Sequence, residues 1–345
     1  MLMLIKPKPL FPGARVAAVT LSWGGPAAFP HRYQAGKQQF QDAFDVEVVE
    51  MPHTLADDGW LARNPKARAE DLMAAFADDR IDGIISTIGG DDSMRLIPHV
   101  DLTVIRNNPK VFCGYSDTTV SHLLCHKAGL VSFYGPAFMS GFAENGGIPP
   151  YLENSFRQQV FAENNLIELT PNTEGWTVEH LGWDDPARQS QRRQLTPCTG
   201  WQYLQGKGIH RGHLLGGCLE VLEMLRGTPA WPTPEQWQGA VLFLETSEEG
   251  APPTALIRSL RSFAAEGVLK GLAGVLFGRP GGQLNPADFR KYDEALIQVI
   301  RDEEGLTELP IVTHMDFGHT DPMMTFAIGA AIRINCDSQT LHQAF

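Results

Sequence analysis

In the first half of the chain, short apolar runs alternate with longer stretches in which apolar residues recur at helical spacing. The runs predict buried strands and the stretches predict amphipathic helices. Strands are predicted at 15–21, 46–49, 83–88, 110–114 and 131–134, and helices at 31–44, 66–77 and 118–127. Strands separated by helices in this way predict an α/β fold with a parallel sheet covered on both faces.

The pattern changes between residues 166 and 210, which are polar and contain Trp176, Trp183 and Trp201. Loops of this length inside compact domains usually have a binding or linking role, so a connector or flap is predicted here. The alternation then resumes, with strands predicted at 240–244, 274–277, 310–313 and 325–334, and helices at 218–226, 253–265 and 286–302. We therefore divide the chain into domains at 1–165 and 211–345, joined by the connector 166–210.

Length and composition agree with two globular domains. The chain has 345 residues, of which 43% are hydrophobic and 20% charged, so a disordered chain is excluded. Its net charge is −12, and the sequence contains no basic run. Polymeric nucleic acid and anionic membranes are therefore poor candidate partners.

The chemistry of the cysteines and the N-terminus predicts a cytoplasmic protein. The apolar run at 1–5 is interrupted at once by Lys6 and Pro7, and is too short for the core of a signal peptide. No apolar run is long enough to span a membrane. The five scattered cysteines contain no CxxC pair, as expected of reduced thiols. They are Cys113, Cys125, Cys198, Cys218 and Cys336.

The segment 111–119, VFCGYSDTT, is the most informative for chemistry. A buried strand runs into a turn that carries Ser116, and a helix follows. This is the arrangement of a nucleophile elbow, although Thr118 stands where the GxSxG pattern has its second glycine. The alternative is that Ser116 or Asp117 caps the helix, a common role for these residue types.

A serine nucleophile needs an oxyanion hole and a base. Gly89 and Gly90 end the preceding strand, where backbone N–H groups could approach a substrate oxygen, although a plain turn explains them equally well. His319 lies in a turn between two strands, where catalytic groups concentrate. Glu245 ends an apolar strand and could orient a histidine, or could simply be solvated.

The pair His122 and His126 has a spacing that metal ligands also use. It lacks the glutamate of the HExxH motif, and no carboxylate cluster is evident nearby. We therefore interpret both histidines as packed or exposed side chains and predict neither a metal nor another cofactor.

Five motifs together resemble the LD-carboxypeptidase family of serine peptidases, and within it the microcin C immunity branch. They are IGGDDS (88–93), GYSDTT (114–119), LLGGCLEVL (214–222), LFLETSEE (242–249) and FGHTDP (317–322). The resemblance implies a Ser116, Glu245 and His319 triad in a cleft between a flavodoxin-like parallel-sheet domain and a smaller C-terminal α/β domain. It also implies backbone oxyanion donors near Gly90 and at Asp117, and often a homodimer.

The resemblance leaves two substrates open. One is a microcin C-like peptidyl-nucleotide or aminoacyl-sulfamoyl adenosine, and the other is a murein tetrapeptide. The three tryptophans of the connector favour the first, because indole rings stack on nucleobases, unless they only pack the flap. Gly217 and Cys218 are further candidate substrate contacts, although family members often have Asn where this chain has Cys218.

Two other functions are weighed against hydrolysis. A non-catalytic binding protein with two α/β lobes would explain the glycine-rich turns but not three triad-type residues in matching motifs. A Rossmann-type nucleotide enzyme is excluded, because the turn 22–26 lacks the GxGxxG pattern and contains Pro26.

Overall fold

The computed structural model describes residues 4–163 and 165–345. The start of the apolar run 1–5 and Asn164, beside the predicted boundary at 165, lie outside the described residues. The helices are α1 Gly25–Ala28, α2 Pro30–Phe44, α3 Asp58–Arg63, α4 Pro65–Ala77, α5 Leu102–Asn107, α6 Thr119–Ala128, α7 Pro150–Val160, α8 Leu219–Leu225, α9 Pro234–Trp237, α10 Pro253–Ala265, α11 Val268–Gly271 and α12 Phe289–Ile297. Shorter 3-10 segments are Ser93–His99, Ser116–Thr118, Pro186–Ser190 and Pro286–Asp288, and a π-helical turn spans Gln298–Glu303.

Fourteen strands in this part of the chain form two sheets. They are β1 Arg15–Val19, β2 Glu47–Glu50, β3 Gly83–Ser86, β4 Val111–Gly114, β5 Ser132–Tyr134, β6 Leu166–Leu169, β7 Gln202–Gln205, β8 Ile209–Cys218, β9 Ala240–Glu245, β10 Gly274–Gly278, β11 Ile311–Met315, β12 Phe326–Ile328, β13 Ala331–Asn335 and β14 Thr340–Ala344.

The first sheet has the order β12-β5-β4-β3-β1-β2. The strands β1 to β5 are parallel, and their order is that of flavodoxin-like folds. Helices cover both faces, so the central strands β1, β3 and β4 are almost continuously buried, whereas the edge strand β2 begins and ends with glutamates. The predicted fold class, a parallel α/β sheet followed by a second α/β region, is confirmed.

The second sheet has eight strands in the order β6-β14-β13-β8-β9-β10-β11-β7. Its centre, β8 to β11, is parallel, and the outer strands are antiparallel. Two of the outer strands, β6 and β7, come from the predicted connector. The connector therefore contributes both edges of this sheet, which the polar sequence of 166–210 did not predict.

The predicted strand 325–334 is two strands in different sheets. β12 pairs antiparallel with β5 in the first sheet, whereas β13 pairs with β8 and β14 in the second. The separation falls at Gly329, whose φ of +84° is in the left-handed region. The apolar run 326–332 concealed this break, because it continues across Gly329 from one strand into the other.

The two sheets share one hydrophobic core. At its centre the Phe243 ring of β9 lies 5.1 Å from Tyr134 of β5 and 4.9 Å from Phe326 of β12, centroid to centroid. These edge-on aromatic contacts fix the ends of β5 and β9 relative to each other. In the described residues no helix is long and apolar enough to cross a membrane.

Candidate active site

Ser116 lies at the sharp turn between β4 and α6. Its φ is +60°, a conformation that side chains other than glycine rarely adopt. A strained residue of this kind requires support from its surroundings, and it marks a functional turn more often than an ordinary helix cap. The backbone N–H of Ser116 donates to the hydroxyl of Tyr134 at 3.2 Å. The turn therefore has the shape of a nucleophile elbow.

The loop after β3 approaches this turn closely. A Cβ atom at Gly89 would lie 2.9 Å from Ser116 Oγ, so this approach depends on glycine. The loop is tied to the turn by Asp117, whose buried carboxylate accepts from the backbone N–H of Ser93 at 2.8 Å. Burial raises the pKa of Asp117. Gly90 and Asp117, the predicted oxyanion donors, thus belong to two backbone segments that are fixed to each other.

Glu245 is the last residue of β9, and His319 lies in the loop after β11. His319 Nδ1 lies 2.7 Å from Glu245 Oε2, and His319 Nε2 lies 3.0 Å from Ser116 Oγ. The hydroxyl of Tyr134 donates to the other oxygen of Glu245 at 2.6 Å. Ser116, His319 and Glu245 therefore form one hydrogen-bonded chain. The hydroxyl of Tyr134 is hydrogen-bonded to the first and the last of these residues, Ser116 and Glu245.

Carboxylates surround the imidazole of His319. Burial alone would lower its pKa, but the charge and hydrogen bond of Glu245, followed by the charges of Glu248 and Glu220, raise the pKa to about 9. Glu245 is fully buried, whereas the side chain of Glu248 is 75% exposed. Glu248 Oε2 lies 3.1 Å from the same Nε2 atom that contacts Ser116. An exposed carboxylate thus competes with the serine for the histidine.

A cavity of about 700 Å³ opens over this chain of residues. Its wall includes Ser116, His319 and the glycine pair, and on the far side the connector residues 178–184. Trp183 is the one predicted tryptophan on this wall. Its ring lies 6.4 Å from Trp23 in a near-parallel arrangement and 5.9 Å from Phe29. The cavity therefore has a polar, reactive end and an aromatic side.

The other two tryptophans hold the connector on the body of the protein. Trp201 is 8% exposed, and its Nε1 donates to Asp316 at 2.6 Å. Trp176 is 5% exposed and lies under the guanidinium of Arg279, which pairs with the same Asp316 at 2.5 Å. Neither side chain lines the cavity, so Trp183 is the predicted tryptophan that could stack on a nucleobase there.

Gly217 and Cys218 lie behind the reactive end, between the two sheets. A Cβ atom at Gly217 would lie 2.3 Å from Cγ2 of Thr119 on α6, and the N–H of Cys218 donates to the Thr119 hydroxyl at 3.2 Å. Cys218 is buried, which raises its pKa well above the usual range. Neither residue lines the cavity, and their observed contacts join α6 to the second sheet.

His122 and His126 are buried on α6. His122 bonds the Ser132 hydroxyl at 2.8 Å and the Gly114 carbonyl at 2.9 Å, and burial lowers its pKa to about 4. The ring of His126 lies 6.3 Å from His213. In residues 4–163 and 165–345, no group of three or more His, Cys, Asp or Glu side chains could hold a metal ion.

Sequence reasoning missed several residues around the cavity. Trp23 was interpreted only as part of the turn 22–26, and Arg32 only as part of the predicted helix 31–44. Tyr134 ends a short apolar strand, and nothing in that strand indicates a bond to Glu245. Glu248 belongs to the acidic run after β9, which gives no sign of which carboxylate faces His319. Their positions could have indicated two of them, because Trp23 lies in the loop after β1 and Tyr134 ends β5, and α/β folds place their sites at the carboxyl ends of strands.

The chain belongs to the LD-carboxypeptidase family, whose members are carboxypeptidase-type hydrolases. The model of the family's N-terminal domain matches residues 16–135, and that of its C-terminal domain matches residues 211–334. The predicted family resemblance is thereby confirmed.

Two curated relatives and one solved structure illustrate the range of the family. The microcin C7 self-immunity protein MccF of Escherichia coli is 27% identical over 80% of this chain and 77% of its own. A protein of Bacillus subtilis named a probable murein peptide carboxypeptidase is 28% identical over 82% and 77%. An MccF-like protein from Streptococcus pneumoniae, solved in complex with AMP, is 29% identical with a TM-score of 0.86, covering 96% and 99% of the two chains.

Tyr134 is predicted to position both ends of the hydrogen-bonded chain. Tyr134→Phe removes the bond to a fully buried carboxylate, which is worth about 1.5–3 kcal/mol. We expect kcat to fall by about tenfold or more with little change in KM. Tyr151→Phe, which removes a tyrosine bond to the Thr170 carbonyl, is the matched control. Equal effects of the two variants on kcat would contradict this role.

The charge of Glu248 is predicted to contribute to the pH dependence of activity, in addition to the larger effect of Glu245. A general base must be neutral, so the raised pKa of His319 predicts that kcat/KM increases with pH up to about 9. Glu248→Gln removes a negative charge 3.1 Å from Nε2 and should lower that pKa, which shifts the rising limb to lower pH. Glu249→Gln is the control for a neighbouring surface charge. If the rising limb of the kcat/KM profile lies at the same pH in Glu248→Gln as in the unmodified protein, the charge of Glu248 does not raise the pKa of His319.

Proposed function

We propose that the protein is a serine hydrolase of the carboxypeptidase type, with Ser116 as nucleophile, His319 as general base and Glu245 as the residue that orients it. The observation that carries this proposal is the hydrogen-bonded chain of these three side chains, of which Ser116 and His319 lie on the wall of the cavity and Glu245 is buried behind them. The strained backbone of Ser116 adds support, because a helix cap does not require positive φ.

The reaction follows from the contacts. Ser116 Oγ attacks the scissile carbonyl carbon while its proton passes to His319 Nε2. Glu245 accepts from Nδ1, keeps Nε2 available as the acceptor and stabilises the imidazolium. The carbon–nitrogen bond then breaks, and His319 gives the proton to the leaving nitrogen. Water attacks the acyl-enzyme with the same histidine as base, which releases the acid and restores Ser116.

The negative oxygen formed in each step requires fixed donors. We assign this role to the backbone N–H groups of Gly90 and Asp117. The carboxylate of Asp117 bonds to the loop that carries Gly90, so the two donors need no rearrangement during the reaction.

We further propose that the substrate is a microcin C-like peptidyl-nucleotide or aminoacyl-sulfamoyl adenosine, cleaved at its acyl link to the nucleotide portion. Trp183 and Trp23 give the cavity an aromatic side on which a nucleobase could stack. The relative MccF is named as a microcin C7 self-immunity protein, and the related pneumococcal structure contains AMP. The activity would serve immunity or detoxification.

The alternative substrate is a murein tetrapeptide, cut before its terminal D-residue during cell-wall recycling. The relative named as a murein peptide carboxypeptidase favours it, at an identity similar to that of MccF. A non-catalytic binding protein is the alternative of another class. A cytoplasmic location and a homodimer stay predictions from the sequence.

Ser116→Ala is expected to lower hydrolysis by several powers of ten without unfolding the protein, because Ser116 is half-buried at a turn. Products are measured by mass spectrometry after incubation with an aminoacyl-sulfamoyl adenosine and with a murein tetrapeptide. Ser140→Ala, which also changes a serine of the cavity wall, should keep most of the activity. Near-full turnover in Ser116→Ala would refute the mechanism, and cleavage of the tetrapeptide alone would favour the second substrate.

Trp183→Ala is expected to weaken nucleotide-bearing substrates by about tenfold or more in kcat/KM, as loss of a base-stacking contact does. A peptide substrate without a base should change much less. Trp60→Ala is the matched control, because Trp60 stacks on His53 outside the cavity. Equal losses on both kinds of substrate would show that Trp183 only holds the connector in place.

A further inference from the structure

The cavity wall contains an arginine whose hydrogen bonding is incomplete. Arg32 lies on α2 and is 5% exposed. Its Nε donates to the Met139 carbonyl at 3.1 Å, and its Nη1 donates to Asn145 Oδ1 at 2.5 Å and Gln189 Oε1 at 3.2 Å. Within the described residues, Nη2 has no hydrogen-bond partner. Two N–H donors of a buried guanidinium are therefore available beside the cavity.

Arg32 also has no carboxylate in direct contact, although the charges of Glu144 and Asp321 act on it from a greater distance. The second arginine of the wall, Arg193, is paired with Glu144 and, at 2.7 Å, with Asp321. No carboxylate in 4–163 or 165–345 lies within 4.0 Å of the nitrogens of Arg32. Burial lowers the pKa of Arg32 to about 10, so the group still carries its charge at neutral pH. A buried cation that is not ion-paired is costly unless a ligand completes it.

Apart from His319 at the reactive end and Arg193, the charged side chains on the remainder of the wall are acidic. Its acidic members are Glu179, Asp184, Glu248 and Asp321. Because Arg193 is already paired with two carboxylates and His319 belongs to the reactive end, Arg32 is the cation that an anionic group on the aromatic side of the cavity would meet. The planar guanidinium suits a carboxylate, phosphate or sulfamate, whose oxygens can accept both free N–H groups.

The position of Arg32 indicates which part of the substrate it faces. Its guanidinium carbon lies 4.7 Å from the ring centroid of Trp183. Trp183 is the residue assigned above to the nucleobase, which belongs to the leaving group. Arg32 is therefore on the leaving-group side of the scissile bond rather than on the acyl side.

We propose that Arg32 binds the anionic group of the leaving portion of the substrate, through the two N–H groups of Nη2. The proposal rests on the proposed function for the orientation of the substrate, and it adds the residue and the chemistry that select for it. In a nucleotide substrate the anion is the phosphate or sulfamate, and in a peptide it is the terminal carboxylate. A substrate with a neutral leaving group would leave the two N–H groups of Nη2 without an anionic acceptor.

The test compares paired ligands that differ in the anion. Binding of AMP and adenosine, and of an L,D-peptide and its C-terminal amide, is measured by calorimetry in Ser116→Ala protein, where no turnover occurs. The same ligands are measured with Arg32→Met added. We expect the acid or phosphate to bind at least tenfold more tightly than its neutral partner, and Arg32→Met to remove that preference while adenosine changes less than about twofold.

Two further variants separate binding from folding. Arg32→Lys keeps the charge but loses the planar fork, so it should retain part of the preference. Arg290→Met removes an exposed arginine outside the cavity wall and should retain all of it. Thermal unfolding of each variant shows whether the loss of the bonds to Asn145 and Gln189 has altered the fold.

The outcomes are distinct. Loss for AMP alone identifies phosphate or sulfamate as the anion, and loss for the peptide alone identifies the carboxylate. An equal loss for all four ligands, a preference that survives Arg32→Met, or no binding of any ligand to Ser116→Ala protein would overturn the proposal. The measurement is equilibrium binding, so a failure of the hydrolytic mechanism is detected separately, as absent turnover in the unmodified protein.

Discussion

The hydrogen bond between Ser116 Oγ and His319 Nε2 joins the two halves of the molecule, and the proposed chemistry depends on it. Ser116 follows a strand of the first sheet, whereas Glu245 is the last residue of a strand in the second sheet and His319 follows another strand of that sheet. A shift of about 1 Å between the sheets would separate the serine from its base. The shared core, the strand β12 that crosses into the first sheet and the two bonds of Tyr134 all limit such a shift.

The same arrangement places the carboxylates of Glu245 and Glu248 beside His319, the residue that takes up the proton in the proposed reaction. Glu245 is buried, and its oxygens are hydrogen-bonded to His319 and Tyr134, while no arginine or lysine in 4–163 or 165–345 pairs with it. A buried carboxylate of this kind is tolerable because both oxygens accept hydrogen bonds and the adjacent imidazole can carry a positive charge. The charge of Glu248 adds to this effect but is exposed, so solvent and salt screen it. A bound substrate that displaced Glu248 would make the histidine a better match to neutral pH.

Sequence reasoning was most successful where local signals and tertiary structure agree. The order of the strands β1 to β5 and of the helices α2, α4 and α6 followed from apolar runs and helical spacing, whereas the helices α1, α3, α5 and α7 were not predicted. The turns after β3 and β4 identified Gly90 and Ser116 as neighbours. The edge strands β6 and β7 were missed, because polar strands at a sheet edge lack the apolar alternation that identifies strands. The division of 325–334 between two sheets depends on a pairing with β5 that is distant in sequence. The sequence also did not distinguish Trp183 in the cavity from Trp176 and Trp201, because the contacts of the latter two with the Arg279–Asp316 pair join residues that are distant in sequence.

The most direct test of the account is covalent labelling of the protein with a fluorophosphonate, followed by mapping of the modified residue by mass spectrometry. The reagent reacts with a serine that a base has activated and that lies beside oxyanion donors. The account predicts a single modification at Ser116, and a large loss of labelling in His319→Ala. A protein that is not labelled, or that is labelled at Ser116 equally well without His319, would contradict the claim that these residues form a catalytic unit.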